Sequence, residues 1–168
     1  TTKNYKNLLC DMEIEGVSVC TPSLTHYKIC KESLLSGKDV LCEKPLALGS
    51  SFCRDLVKIA EKEDRVLMVG HVFRYNGLSQ KLKEIIESGV LGKIFFMQTE
   101  RLGLRTPRSD CGVIFDFAIH DIDLVCYLTD CDYPEEVTAI AASYLPYDTD
   151  DFGMVALKFP NNVLAHIV

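Results

Sequence analysis

The sequence has no excess of basic residues and no long apolar run. Against 24 Asp and Glu it carries 18 Lys and Arg, which gives the 168 residues a net charge of −6. Non-specific nucleic-acid binding depends on basic surface, which an acidic chain without a basic cluster lacks. No stretch approaches the ~20 apolar residues of a membrane-spanning helix, and the N-terminus has no signal-peptide core. We therefore expect a cytoplasmic protein that binds neither nucleic acid nor membrane.

Two motif classes are also missing. The eight cysteines form no CxxC pair, and no histidine pair stands at zinc-finger spacing. We expect reduced thiols that behave as small apolar side chains, and no metal site. The glycine-rich GxGxxG turn that grips a dinucleotide pyrophosphate is absent as well. Because the chain also stops inside an apolar strand, we expect it to be the central part of a longer protein, which leaves open whether it is active alone.

The first half of the chain alternates between short strands and helices. Apolar strands are predicted at residues 16–20, 39–42 and 66–70. The helix at 25–36 is expected to have Ser23 or Thr25 as its N-cap and Gly37 just past its end, and Ser50 or Ser51 is expected to cap the next helix. Short strands that are apolar on both faces, with helices between them, indicate a parallel sheet covered on both sides.

The second half changes character. Helices are predicted at 78–88 and 113–128, and strands at 93–101, 136–144, 152–159 and 163–168. A Pro160-Asn161-Asn162 turn favours a hairpin between the last two strands. The predicted fold class is therefore α/β: a partial doubly wound, Rossmann-like parallel sheet, followed by part of an α+β domain with a mainly antiparallel open sheet.

This open sheet is expected to mediate self-association, because an uncovered apolar face is unusual in a monomer. A dimer or tetramer would form through it. The apolar residues assigned to the open face are Val137, Ala139, Ala141, Val155, Leu157 and Val163.

The segment Leu41-Cys42-Glu43-Lys44-Pro45 carries the strongest chemical signal. It places an ammonium and a carboxylate at the carboxyl end of a buried strand, where open α/β sheets bind ligands. Proline holds the residue before it extended, so the backbone of Lys44 is restricted. A cationic lysine at this place can stabilise negative charge that grows on a substrate oxygen. The alternative is an ordinary surface lysine in a loop.

Asp116 and His120 stand four residues apart on a predicted helix, so they share a face. Their neighbours are apolar, and buried polar groups need partners, of which a substrate is one. Asp123 follows seven residues after Asp116 and is expected to orient the His120 ring from behind. The alternative is a solvent-facing aspartate with a half-buried histidine.

Three further polar clusters admit two interpretations each. Thr21-Pro22 and His26 open a helix, which suits an anion or a ribose, or else form a simple turn. Arg101, Arg105 and Arg108 lie in one loop, where they could bind a diphosphate or face solvent. The segment 71–76, His71-Val72-Phe73-Arg74-Tyr75-Asn76, follows the third strand and could bind phosphate, ribose or sugar hydroxyls, or serve as a hinge.

Taken in order, four motifs resemble the Gfo/Idh/MocA oxidoreductase family. They are Val19-Cys20-Thr21-Pro22 with His26, the segment 37–45, the segment 70–76, and the segment 116–123. The resemblance implies that residues 1–70 are the C-terminal part of a dinucleotide-binding domain. It implies that residues 71–168 are part of a substrate-binding and oligomerisation domain. Members oxidise or reduce sugar and cyclitol hydroxyls with NAD or NADP, of which NAD is favoured here.

The resemblance also implies roles for individual residues and a cis Lys44–Pro45 bond. Lys44 would lie between nicotinamide and substrate, His120 would take the hydroxyl proton, and Asp116 would bind substrate or position His120. The implied cofactor contacts are Thr21, Pro22, His26, Glu43, Lys44, Pro45 and Arg74. The implied substrate contacts are Lys44, Tyr75, Asn76, Arg101, Asp116 and His120.

A narrower resemblance concerns the substrate. The segments 70–76, 101–103 and 112–123 are similar to those of UDP-N-acetylglucosamine 3-dehydrogenases. This similarity implies a nucleotide-sugar substrate. A dehydrogenase of myo-inositol or another cyclitol or sugar, and a non-catalytic relative that senses a ligand, are the alternatives.

Overall fold

In the computed structural model, which describes residues 1–103, 106 and 108–168, the chain folds as two compact units, Thr1–Gly70 and His71–Val168. We refer to them as unit 1 and unit 2. Across these described ranges, no helix combines the length and apolarity that crossing a bilayer requires.

Unit 1 contains a parallel sheet of three strands in the order β1-β2-β3, and the alternating pattern predicted that the sheet is parallel. The predicted cover on both faces is not found among the residues described: Leu41 and Met68, on the face away from the core, are 42% and 38% exposed. Its elements are α1 (Lys6–Leu9), β1 (Gly16–Val19), α2 (Ser23–Leu35), β2 (Asp39–Cys42), α3 (Ser50–Lys62) and β3 (Leu67–Val69). The core forms where α2 and α3 pack on the sheet. Its fully buried members include Leu34, Cys42 and Leu56, each 0% exposed.

The helix starts of unit 1 differ from the prediction. The N-cap of α2 is Pro22 and that of α3 is Gly49, so the four residues expected as caps lie inside the helices: Ser23, Thr25, Ser50 and Ser51. The hydroxyl of Thr25 lies 2.7 Å from the Pro22 carbonyl and 2.7 Å from Thr21 Oγ1, and it is the donor in both contacts. Gly37 follows α2 with φ of +73°, the left-handed conformation that favours glycine, and this prediction is confirmed.

Unit 2 contains a four-stranded sheet in the order β4-β7-β6-β5. Its helices and strands are α4 (Gly77–Glu87), β4 (Phe96–Thr99), α5 (Ile119–Thr129), β5 (Glu136–Ala142), β6 (Phe152–Phe159) and β7 (Val163–Ile167). Short 3₁₀ turns cover Val72–Tyr75 and Pro160–Asn162, and a π-helical turn covers Ile114–Ala118. Strands β5, β6 and β7 are antiparallel, as predicted, while β4 joins β7 in parallel.

Only part of the face assigned as open is uncovered: on the edge strand β5, Val137 is 62% exposed, and Ala139 and Ala141 are exposed as well. Val155 and Leu157 are each 2% exposed, because they pack in a core with residues of α5. The opposite face of the sheet presents Phe96, Ile140 and Leu164, which are 55%, 60% and 48% exposed. Both faces of β6 are apolar, so alternation along the strand does not reveal which face the helix covers. Self-association through the sheet stays a prediction.

Candidate functional site

In unit 1 the predicted cofactor contacts lie at one edge of the parallel sheet. Val19 pairs with Cys42 across β1 and β2, so the loops that follow these strands leave from the same edge. Thr21, Pro22 and Glu43 are exposed and Lys44 is half-buried. Ligands of open α/β sheets bind at such carboxyl edges, so these four residues are placed to meet one.

The turn after β2 is held by its own backbone. The Glu43 N–H donates to the Val19 carbonyl at 2.9 Å, and the Lys44 N–H donates to Glu43 Oε2 at 3.3 Å. The Lys44–Pro45 bond is cis, as the resemblance implied, and the Pro45 side chain is buried. The backbone on both sides of the Lys44 side chain is therefore fixed.

His26 does not share the exposure of the other predicted cofactor contacts. Its side chain is 1% exposed. Nδ1 lies 2.8 Å from the Pro45 carbonyl and Nε2 lies 2.7 Å from the Thr21 carbonyl. Both ring nitrogens are thus occupied by backbone, which leaves His26 no polar atom for a direct contact with a cofactor.

In unit 2, Asp116 lies in the π-helical turn and His120 in the first turn of α5. Asp116 is 7% exposed, with Oδ1 at 3.7 Å from Arg108 Nη1. His120 is half-buried, and Phe73 meets its ring edge-on at 5.1 Å. Single π-turns within helices occur frequently at functional sites. The helical pattern predicted the segment but not its π geometry.

Every arginine of unit 2 that the structure describes is paired with an aspartate. Arg74 binds both oxygens of Asp123 through Nε, at 2.8 and 2.9 Å. Hydrogen bonding to Asp123 raises the pKa of Arg74 above its usual range. The carboxylate of Asp123, which is expected to orient His120, is engaged by Arg74, and its Oδ2 lies 3.8 Å from His71 Nδ1. The predicted contact of Arg74 with a cofactor would compete with this pair.

Arg101 and Arg108 are engaged in the same way. Arg101 donates to Asp121 through Nε at 2.9 Å and Nη2 at 3.3 Å. Arg108 donates to Asp110 through Nε at 2.8 Å and Nη2 at 2.7 Å, and this bonding raises the pKa of Arg108 above its usual range. The third member of the predicted basic loop, Arg105, lies outside the described residues.

Arg101 also reaches His120 indirectly. Its guanidinium lies over the Phe73 ring, 4.8 Å from the ring centre, and Phe73 in turn meets His120. Asp121, which holds Arg101, is 5% exposed. The aspartate, arginine, phenylalanine and histidine therefore form a continuous row. The sequence reasoning missed Phe73 and Asp121, although both lie inside the motifs it singled out.

The two remaining predicted substrate contacts are exposed. Tyr75 is 63% exposed. The side chain of Asn76 accepts the Leu78 N–H at 2.8 Å and so forms the N-cap of α4. Asn76 therefore has a structural role whether or not it meets a ligand.

A cavity of about 660 Å³ lies within unit 2, in the range that small ligands occupy. Most of its surface is apolar, and Phe117 and Phe152 contribute to it. Its charged lining residues are Arg101, Arg108, Asp116, Asp121, Asp150 and Asp151. Of the predicted catalytic residues in this unit, Asp116 lines the cavity, whereas His120 is not among the residues of its wall.

Comparisons with known proteins match nearly the whole chain. Residues 1–71 match the model of the oxidoreductase family with an NAD-binding Rossmann fold, and residues 79–168 match the GFO/IDH/MocA C-terminal domain. The UDP-N-acetylglucosamine 3-dehydrogenase of Acidithiobacillus ferrooxidans is 30% identical to this chain, over a region that covers 92% of this chain and 48% of the length of that enzyme. The inositol 2-dehydrogenase/D-chiro-inositol 3-dehydrogenase of Lactiplantibacillus plantarum is 34% identical over 79% of this chain and 39% of its own.

Solved structures agree on the fold. A levoglucosan dehydrogenase in complex with NADH and levoglucosan superposes with a TM-score of 0.89 at 24% identity, over 99% of this chain and 50% of the other. The chain thus spans about half the length of the relatives it matches.

Proposed function

Because the chain belongs to the Gfo/Idh/MocA oxidoreductase family, we propose that the full-length protein is an NAD-dependent dehydrogenase of a sugar or cyclitol. The proposed reaction transfers hydride between nicotinamide and a carbon that bears a secondary hydroxyl. The observation that carries the proposal is the Asp116/His120 pair, in a helix whose buried carboxylate lines a cavity of about 660 Å³.

The carboxyl edge of the unit 1 sheet fits the nicotinamide end of a dinucleotide. Its exposed or half-buried residues are polar or small, and Gly70 directly follows β3. A Cβ at Gly70 would lie 3.4 Å from Glu43 Oε2 and 3.5 Å from the Cys42 carbonyl, in ordinary contact, so it would fill space beside these groups that glycine leaves open. The chain itself holds no GxGxxG turn for the pyrophosphate. NADP is the alternative cofactor.

The proposed chemistry divides between the two units. Bound NAD supplies the hydride acceptor. When the carbinol C–H bond breaks, its electron pair leaves with the hydride, and the His120 imidazole takes the proton of the O–H group. The ammonium of Lys44 is suited to stabilise negative charge that develops on a substrate oxygen. Asp116 binds neighbouring hydroxyls or orients His120.

An uncharged substrate is favoured over a nucleotide sugar. Free guanidinium groups are favourable bidentate partners of a diphosphate, whereas the described arginines of unit 2, Arg74, Arg101 and Arg108, each have a carboxylate partner. The described charges on the cavity wall are two guanidinium groups against four carboxylates, which disfavours a further anion. The inositol dehydrogenase among the relatives is in keeping with this choice, while the UDP-N-acetylglucosamine enzyme keeps the nucleotide sugar as the second candidate.

The test is a spectrophotometric assay of NAD reduction by the full-length protein with myo-inositol, glucose and UDP-N-acetylglucosamine. We expect turnover with an uncharged polyol. His120→Ala is expected to lower kcat about a hundred- to ten-thousand-fold, and Lys44→Ala about a hundredfold or more. Lys81→Ala, on an exposed face of α4, is the matched control. Undiminished turnover in both active-site variants would refute the mechanism, and calorimetric binding of a sugar without NAD reduction would favour a ligand sensor.

A further inference from the structure

His26 makes two hydrogen bonds whose partners are both carbonyl oxygens. The ring lies in the first half of α2, 1% exposed, with Pro45 O at 2.8 Å from Nδ1 and Thr21 O at 2.7 Å from Nε2. A carbonyl oxygen can only accept. A neutral imidazole has one N–H, so it can donate to only one of the two oxygens. The other nitrogen would then point a lone pair at an oxygen at hydrogen-bond distance, in a buried place without compensation.

Both contacts are satisfied when both ring nitrogens carry a proton. We propose that His26 is a positioning residue, an imidazolium that clamps the turn after β1 to the turn after β2. The proposal rests on the proposed function in so far as these two turns are taken to hold nicotinamide.

The clamp joins the two turns through the carbonyl groups of Thr21 and Pro45. Thr21 begins the exposed Thr21-Pro22 turn, and Pro45 follows Lys44 through the cis bond. Strands β1 and β2 are neighbours, but their hydrogen-bonded register ends at Val19 and Cys42. Beyond that point the His26 ring spans the two turns, and its size sets the separation between their carbonyls.

The groups around this ring can tolerate a cation. The titratable side chains on the segments that meet there are Tyr27, Lys28, Cys30, Lys31 and Glu32 on α2, Cys20 after β1, and Cys42, Glu43 and Lys44 at the end of β2. Lys31 is paired with Asp55 of α3, and Glu32 accepts a hydrogen bond from Tyr5. Glu43 is the carboxylate at the end of β2, next to the turn that the ring contacts. The two carbonyl dipoles aimed at the ring supply the remaining stabilisation, as charge-assisted hydrogen bonds.

The protonation state can be observed directly. Full-length protein labelled with ¹⁵N-histidine should show, at neutral pH, two slowly exchanging ring N–H signals from one residue, both lost in His26→Gln. A single N–H signal from that residue would overturn the imidazolium. This readout needs no activity, so it decides the proposal even when the protein fails to reduce NAD and the proposed function itself is refuted.

The positioning role is tested by two variants that each keep one donor. Asn carries its amide N–H₂ near the place of Nδ1 and keeps the tether to Pro45, whereas Gln carries it near the place of Nε2 and keeps the tether to Thr21. We expect His26→Asn to raise the KM for NAD about tenfold and largely preserve kcat. We expect His26→Gln to lower kcat about tenfold, because the turn that bears Lys44 is released.

The control lies on the same helix. Tyr27→Phe removes a hydrogen bond from Tyr27 to Asp55, which joins α2 to α3, and it should leave both kinetic constants unchanged. His26→Ala, if folded by circular dichroism, should combine both defects. Wild-type kcat and KM in the Asn and Gln variants, with only a lowered unfolding midpoint, would overturn the positioning role.

Discussion

Replacing Arg101 by methionine separates a structural role for this residue from direct substrate binding. Methionine keeps an unbranched apolar chain but removes the guanidinium that binds Asp121 and covers Phe73. The Asp121 carboxylate then loses both of its hydrogen bonds from Arg101. We expect the free energy of unfolding of unit 2 to fall markedly, because a carboxylate that is nearly withdrawn from water is left without its cation.

The exposures of the two side chains set the size of the effect. The Asp121 side chain is 7% exposed, whereas that of Arg101 is 33% exposed. Removing one partner of a fully buried ion pair costs about 3–5 kcal/mol, and screening of the partly exposed arginine lowers the expected loss to about 2–3 kcal/mol. Because Arg101 covers Phe73 and Phe73 contacts His120, the same change should also displace His120. In an activity assay it should therefore lower kcat more than it alters KM.

The assay is urea unfolding of wild type and variants followed by circular dichroism. The double variant Arg101→Met/Asp121→Leu should recover most of the loss, because an apolar pair replaces the orphaned carboxylate. Lys81→Met removes an exposed pair with Glu84 on the surface of the same unit and should leave the unfolding midpoint where it is. An unchanged midpoint in Arg101→Met, together with a raised KM alone, would show that Arg101 is free to bind substrate and would refute the structural role.

Three further predictions concern unit 1. Iodoacetamide should label the exposed Cys20 in the native protein but not Cys42, which is 0% exposed. Hydrogen bonding to Cys30 and burial also raise the pKa of the Cys42 thiol, so little reactive thiolate is present. Peptide mass spectrometry checks this, and native labelling of Cys42 would contradict it. Hydrogen bonds from Tyr27 and then Lys31 lower the pKa of Asp55 below its unfolded value of 3.8, so their stabilisation is present above that pH and is lost as pH falls through the lowered pKa. Urea titrations at several acidic pH values should therefore show that the free energy of unfolding falls less steeply with decreasing pH in Tyr27→Phe than in wild type. Parallel curves for the two proteins would argue against this. Gly37→Ala should lower the free energy of unfolding by about 1 kcal/mol, since φ is +73° and no atom crowds the new methyl; an unchanged midpoint would show that the turn relaxes.

Much of the fold is a local property of the chain and could be predicted without coordinates. The bounds predicted for the strands at 39–42 and 152–159 coincide with those of β2 and β6. Apolar runs, helical spacing and turn residues act over a few neighbours, so they are readable in one dimension. The same holds for the four-residue spacing of Asp116 and His120 and for the glycine that ends α2. The expected helix caps failed because a cap depends on which backbone N–H each hydroxyl meets.

In the candidate site, too, some features are local in the sequence and others depend on tertiary contacts. The sequence alone identified the residue types, the motif order and therefore the family, since those are written in short segments. Only the tertiary structure decided what those side chains bind: Arg74 pairs with Asp123 49 residues away, Arg101 with Asp121 20 residues away, and His26 with a carbonyl 19 residues away. It also decided which apolar face of β6 is buried against α5. Ion pairs and buried hydrogen bonds depend on distance in space and on exclusion of water, and neither is set until distant segments pack together.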